Sequence, residues 1–166
     1  MKTLNKLYIS LILLSTSLLA ADKSYSFLGI QTGSSFIEGN AVPEVALKYG
    51  VQTRKYRTTF SYAYGQNSKS NYQSILAQID IGILSNTFKD SAFKPYAGFS
   101  FGVMQEKNVL NSLTTDRGYV YGLNSGLSYI FNDDFDFDLG YRYLQTSKLE
   151  NIDSLSELTL SMHYFY

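Results

Sequence analysis

From residue 24 onward the chain alternates apolar and polar positions with a period of two, the repeat of an extended strand whose two faces differ. The first such segment, residues 24–35, sets Leu28, Ile30 and Thr32 against Gly29, Gln31 and Gly33. The second, 42–52, sets Val45, Leu47, Tyr49 and Val51 against Glu44, Ala46, Lys48, Gly50 and Gln52. In the third, 56–65, Tyr56, Thr58, Phe60, Tyr62 and Tyr64 alternate with Arg57, Thr59, Ser61, Ala63 and Gly65. The fourth carries Ile75, Ala77, Ile79, Ile81 and Ile83 against Gln78, Asp80 and Gly82, with Leu76 and Leu84 out of phase. Pro95 opens the fifth, where a strand tolerates it, and Ala97, Phe99, Phe101 and Val103 oppose Tyr96, Gly98, Ser100 and Gly102. The sixth sets Tyr121, Leu123, Leu127, Tyr129 and Phe131 against Gly122, Asn124, Gly126 and Ser128. The seventh sets Phe135, Phe137, Leu139, Tyr141 and Tyr143 against Asp136, Asp138, Gly140 and Arg142. The last, 158–166, sets Leu158, Leu160, Met162, Tyr164 and Tyr166 against Thr159, Ser161 and His163, and Phe165 breaks the alternation.

Eight such segments predict an all-β fold, an eight-stranded antiparallel up-and-down transmembrane β-barrel. Longer polar loops are expected after strands one, three, five and seven, with residues 104–117 the longest and 144–154 another. Shorter turns are expected after strands two, four and six, as at 53–55 and 132–134, although 85–94 is longer. Short turns at one end and long loops at the other are the outer-membrane pattern. Strands of roughly ten residues, tilted near 40°, cross the ~25 Å apolar band. The opposite choice, apolar face inward, gives a soluble lipocalin-like barrel. It would force a dozen Tyr and Phe rings into an interior that eight strands make only wide enough for ordinary side chains. Aromatics turned outward form the girdles that meet lipid headgroups.

Composition agrees. Aromatics are 16% of the 166 residues, with 15 Tyr, 11 Phe and no Trp. The absence of Cys excludes disulfides, thiolate metal sites and a cysteine-linked lipid anchor. The formal charge is zero, so no basic field invites nucleic acid. Lys2 and Lys6 precede an apolar run from Leu7 to Leu19 and the small pair Ala20-Ala21, the pattern of a cleaved signal peptide over residues 1–21. The barrel domain is then 22–166, with 12 basic and 14 acidic residues, a formal charge of −2.

Eight charges fall on the polar, inward faces: Glu44, Lys48, Arg57, Asp80, Asp136, Asp138, Arg142 and Glu157. Buried charges must be paired or hydrated, so these residues are expected to form a lumen network that plugs the barrel and fixes its register. The competing expectation is a conduction path. His163 is the only histidine. Ser161 beside it raises the thought of an envelope acyl hydrolase. Lipid A deacylases carry the order His-x-Ser on a lipid-facing surface, whereas here it is Ser161-Met-His163 on the lumen face. A structural, hydrated histidine is the expectation, with no catalytic residue, metal site or cofactor.

Two stretches carry a resemblance. Lys94-Pro-Tyr-Ala-Gly-Phe-Ser-Phe-Gly102 is similar to the fifth strand of small outer-membrane barrels, and the run from Gly126 through Asp133-Asp134 to Gly140-Tyr-Arg-Tyr143 resembles their paired strands. The chain thus resembles the OmpA/OmpX-like outer-membrane β-barrel domain family. That resemblance implies a Gram-negative outer membrane, contact with its lipid, and a role in envelope integrity or surface adhesion through the outer loops. Slow solute passage through a narrow pore is the alternative. It also implies that the aromatic terminal strand, Leu158 to Tyr166, is read as a signal by the barrel-assembly machinery.

Overall fold

A computed structural model of the chain describes residues 24–37, 39–53, 55–82, 90–108, 115–149 and 152–166. It contains β1 (Tyr25–Ile37), β2 (Asn40–Gln52), β3 (Tyr56–Gln66), β4 (Ser70–Ile81), β5 (Phe93–Asn108), β6 (Thr115–Ile130), β7 (Phe135–Ser147) and β8 (Ser154–Phe165). Each strand pairs antiparallel with the next, and β8 returns to β1 to close the barrel. Gly29 lies opposite His163 and Ile37 opposite Leu155 across that seam. Closure leaves no strand edge unpaired.

The alternation decides which way each side chain points. Leu47 and Leu123 are 66% and 69% exposed, whereas Lys48 and Asn124, their neighbours in sequence, are 7% and 6% exposed. The outside is therefore oily and the inside polar, the reverse of a soluble barrel. Turns are built from side chains that mimic backbone. Asn132 Oδ1 accepts from the amides of Asp134 and Phe135 at 2.9 and 2.8 Å. Asn67 does the same for Lys69 and Ser70, both at 2.8 Å.

The connections differ from expectation. At the end away from the chain termini, Ile37 closes β1 directly opposite Asn40, the start of β2, and residues 67–69 make a tight hairpin. The predicted loop at 104–117 is mostly ladder, with Met104 opposite Gly118 and Lys107 opposite Thr115. That at 144–154 shrinks because β7 runs to Ser147 and β8 starts at Ser154. The longest connection, 82–92, lies at the end that holds the termini. Polar composition was the signal for those loops, but the strands keep pairing through these stretches. The signal segment, Ile83, Leu84 and parts of the loops lie outside the described residues.

At the far end the lumen turns apolar. Ile37, Val42, Leu76, Met104, Val120, Leu144, Leu149, Ile152 and Leu155 form one buried cluster. Leu76, out of phase by the sequence pattern, is 1% exposed because it points into this tier. Gly102 and Gly122 make room for it. A Cβ on Gly122 would meet the backbone of Tyr143 and Leu144, and one on Gly102 the backbone at Ile75 and Leu76.

Candidate functional site: the lumen network

All eight inward charges are buried. Arg57, at the end of β3 nearest the chain termini, is the centre of the first cluster. Its two terminal nitrogens donate to Asp138 Oδ2 at 2.5 Å and Asp136 Oδ2 at 2.6 Å. Nε donates to Gln52 Oε1 at 2.5 Å, and the guanidinium lies 5.6 Å from the Phe27 ring centroid. The alternation of β7 brings Asp136 and Asp138 onto one face, two residues apart, so one guanidinium reaches both. Charge-assisted forks of this kind are the strong hydrogen bonds of a protein interior.

The second cluster lies further from the termini. Arg142 donates to Glu157 Oε2 at 2.6 Å and to Gln78 Oε1 at 2.7 Å. Register sets this pair, since Arg142 and Glu157 face each other across β7 and β8. Gln78 also donates through Nε2 to both oxygens of Asp80, at 3.0 and 2.8 Å. Asn124 donates to Asp80 as well, and accepts from Ser100 at 2.9 Å.

Glu44, Lys48 and Asp80 form no direct ion pair with a base or acid among the described residues. Neutral groups solvate them instead. Ser35 and Gln31 donate to Glu44 at 2.5 and 3.2 Å. Lys48 Nζ donates to Ser161 Oγ at 2.8 Å. These hydroxyls and amides were legible as inward positions but were not singled out, because a neutral polar residue in a strand gives no charge signal.

His163 is 1% exposed and packs against Phe27, with ring centroids 4.7 Å apart and planes tilted by 58°. Its Nδ1 lies 2.7 Å from Asp136 Oδ1, and Nε2 has no hydrogen-bond partner among the described residues. A side chain at Gly29 would collide with the ring. Ser161 is engaged by Lys48 and donates to Gln31 at 3.4 Å, so it is not held as a nucleophile for His163. Asp136, Asp138 and His163 bring three potential metal ligands within 4.8 Å of one another. Arg57 already takes an oxygen of each carboxylate, so a cation there would face a guanidinium. The donor set therefore fits a structural cluster better than a metal centre. A cavity of about 20 Å³ between Glu44, Glu157 and the apolar tier has room for about one water.

In the closing strand, Leu158, Leu160 and Tyr164 point outward and are exposed, Tyr166 beyond it is exposed, and Met162 is half-buried. Phe165 packs at 5.4 Å on Phe27 near the seam.

The model of the family described as outer membrane protein beta-barrel domain matches residues 5–164. The chain belongs to this family. Membership places the barrel in a Gram-negative outer membrane, with its oily wall against lipid. Among solved structures, Neisserial surface protein A is 18% identical with a TM-score of 0.69, over 86% of this chain and 97% of that one. Outer membrane protein H of P. aeruginosa is 20% identical with a TM-score of 0.62, over 88% of this chain and all of that one. The outer membrane enzyme PagL is 11% identical with a TM-score of 0.52, over 83% and 98%. These likenesses establish the eight-stranded barrel. One of these barrels is an enzyme, so fold alone does not decide activity. No curated protein matches by sequence.

Proposed function

We propose that this chain is a non-enzymatic outer-membrane barrel with a structural or surface-contact role, and that its lumen is closed. The observation that carries this reading is a lumen filled at three levels. The Arg57 and Arg142 clusters occupy the inner and middle sections, and the apolar tier occupies the outer one. An eight-stranded interior leaves little space beyond its own side chains. Contacts with surface ligands would be made through the outer rim, where Ile37 of β1 already faces Asn40 of β2 and the hairpin at 67–69 is small. In this reading residues 1–21 are removed on export, and the outward row ending at Tyr166 is recognised during assembly.

Single-channel recording on the purified barrel in planar bilayers tests the closed lumen. No steady conductance is expected, and a sustained open level abolished by Lys48→Met or Arg142→Met would establish the pore instead. Incubation with envelope lipids is expected to release no fatty acid, and release that depends on His163 would overturn the non-enzymatic assignment.

A further inference from the structure

Where β1 and β8 meet at the outer rim, the wall changes chemistry. Along the outward row of β8, Tyr164, Met162, Leu160 and Leu158 give way to Ser156 and Ser154 as the strand leaves the apolar band. On β1 the outward row runs Leu28, Ile30, Thr32 and Ser34, and then returns to an aromatic at Phe36. Phe36 is 45% exposed and lies in register with Ser156. This ring stands among hydroxyls, beyond the apolar residues of its own strand.

Phe36, Gly39, Asp153, Ser154 and Ser156 line a pocket of about 340 Å³, closed at its back by Leu155 of the apolar tier. Phe36 supplies an aromatic surface. Asp153 is exposed and forms no ion pair among the described residues. Its carbonyl accepts from the Thr146 amide at 3.0 Å, which anchors the backbone that carries the carboxylate. Ser156 Oγ accepts from the Tyr141 hydroxyl at 3.1 Å, so its own proton is left to donate. A Cβ at Gly39 would meet nothing within 4 Å, so that side of the pocket is open. No lysine or arginine is among the described residues that line it.

We infer that this pocket binds the terminal neutral hexose or N-acetylhexosamine of a glycan. A pyranose has an apolar C–H face, which packs on the Phe36 ring. Its hydroxyls donate to the Asp153 carboxylate, a charge-assisted bond, and exchange hydrogen bonds with Ser154 and Ser156. A phosphate or sulfate would meet Asp153 with no cation to balance it. A hydrocarbon would leave the carboxylate and the hydroxyls without partners. The volume lies at the lower end of ligand clefts, about 300–1,000 Å³, which suits the end of a glycan rather than a long stretch of it. The inference deepens the surface-contact role proposed above and rests on this end of the barrel facing the cell exterior.

The purified protein in phosphatidylcholine nanodiscs, free of sugar-headed detergent, is titrated with the methyl glycosides of glucose, galactose and N-acetylglucosamine, and with glucose 6-phosphate and N-acetylneuraminic acid. Binding is read by saturation-transfer difference NMR. Transfer to at least one neutral sugar is expected, strongest on one face of its ring, with little to the two anionic sugars. Asp153→Asn and Phe36→Ala are each expected to weaken binding by about tenfold or more, and Phe36→Tyr to retain it. These side chains are exposed, and heat-modifiable gel migration verifies folding. No transfer to any neutral sugar, equal transfer to the anionic ones, or unchanged binding in Asp153→Asn and Phe36→Ala overturns the site. Beads carrying the preferred sugar should then bind whole cells. Competition by oligosaccharide from the same outer membrane assigns the glycan to the cell's own surface, and failure to compete assigns it to a foreign one. Orientation is read separately. The chain lacks cysteine, so Lys69→Cys, at the same rim, should react with an impermeant maleimide on whole cells. Failure to label refutes the surface-contact role, while the nanodisc titration decides the pocket whichever way the barrel faces.

Discussion

Removing Arg57 is expected to be among the most damaging single substitutions in the barrel. In Arg57→Ala, Asp136 and Asp138 lose their shared guanidinium while both remain buried, at 2% and 4% exposure. Two charge-assisted hydrogen bonds at about 1.5–3 kcal/mol each bracket the loss at roughly 3–6 kcal/mol. Breaking buried pairs by deleting one partner usually costs about 3–5 kcal/mol. Ser128 and His163 still reach Asp136, at 3.3 and 2.7 Å, which moderates the penalty. The expected destabilisation is therefore about 4 kcal/mol. Neutralising the whole cluster separates charge from packing. Arg57→Met with Asp136→Asn and Asp138→Asn keeps the volume and leaves no uncompensated charge, so it should fold within about 1.5 kcal/mol of the wild type. Urea titration of folding into lipid vesicles, with the heat-modifiable band as the folded fraction, measures both. A loss below about 1 kcal/mol in Arg57→Ala, or a neutral triple variant no better than Arg57→Ala, would refute the electrostatic account.

The apolar tier and the seam give further tests. Leu144→Ala should cost about 2–5 kcal/mol in the same titration, since Leu144 is 1% exposed in a closed cluster. Gly122→Ala should destabilise by about 1–3 kcal/mol or more, because the added methyl meets backbone that cannot swing aside, whereas Gly39→Ala has open space and only its positive φ against it. Deleting Phe165 and Tyr166, or Tyr166→Asp, is expected to reduce the folded outer-membrane fraction in cells more than shortening any outer hairpin. Normal assembly of the truncated chain would remove the terminal strand's role as a signal.

Much of this architecture was legible because a barrel in lipid has few ways to satisfy its backbone and only one way to orient each face. Val45, Leu47 and Tyr49 pointing outward, and Glu44, Lys48 and Gly50 inward, follow from a period of two. The inward positions of Arg57, Asp136, Asp138, Arg142 and Glu157 follow from the same count. Partners did not, because they depend on barrel closure: Arg57 on β3 reaches across the lumen to β7. The apolar tier was missed for a different reason. Val42, Leu76, Met104, Val120 and Leu144 sit in phase with Glu44, Gln78, Gly102, Gly122 and Arg142, so the inner face changes character partway along each strand. A period-two template scores that change as error or as loop. Its recurrence at the same end of several strands was the available signal.

Why the lumen keeps charges at all is a question of register rather than strength. Buried ion pairs are often matched or bettered by apolar replacements, so the Arg57 and Arg142 clusters are not needed to hold the sheet together. A one-residue slip in a strand, however, exchanges its two faces. For β7 a slip would turn Asp136, Asp138 and Arg142 toward lipid. A basic residue at the membrane midplane costs about 2–4 kcal/mol and an acidic one less, falling toward the interfaces. The slip would also turn Phe137, Leu139 and Tyr141 into a lumen with no room for them. The penalty for the wrong register is then several kcal/mol even where the right register gains little. On this account the neutral triple variant separates two properties that the wild type combines. It should match the wild type in equilibrium stability, yet give a larger fraction of misassembled, protease-sensitive chain when refolded into vesicles. Equal yields of the protected barrel from both would show that apolar alternation alone specifies the register.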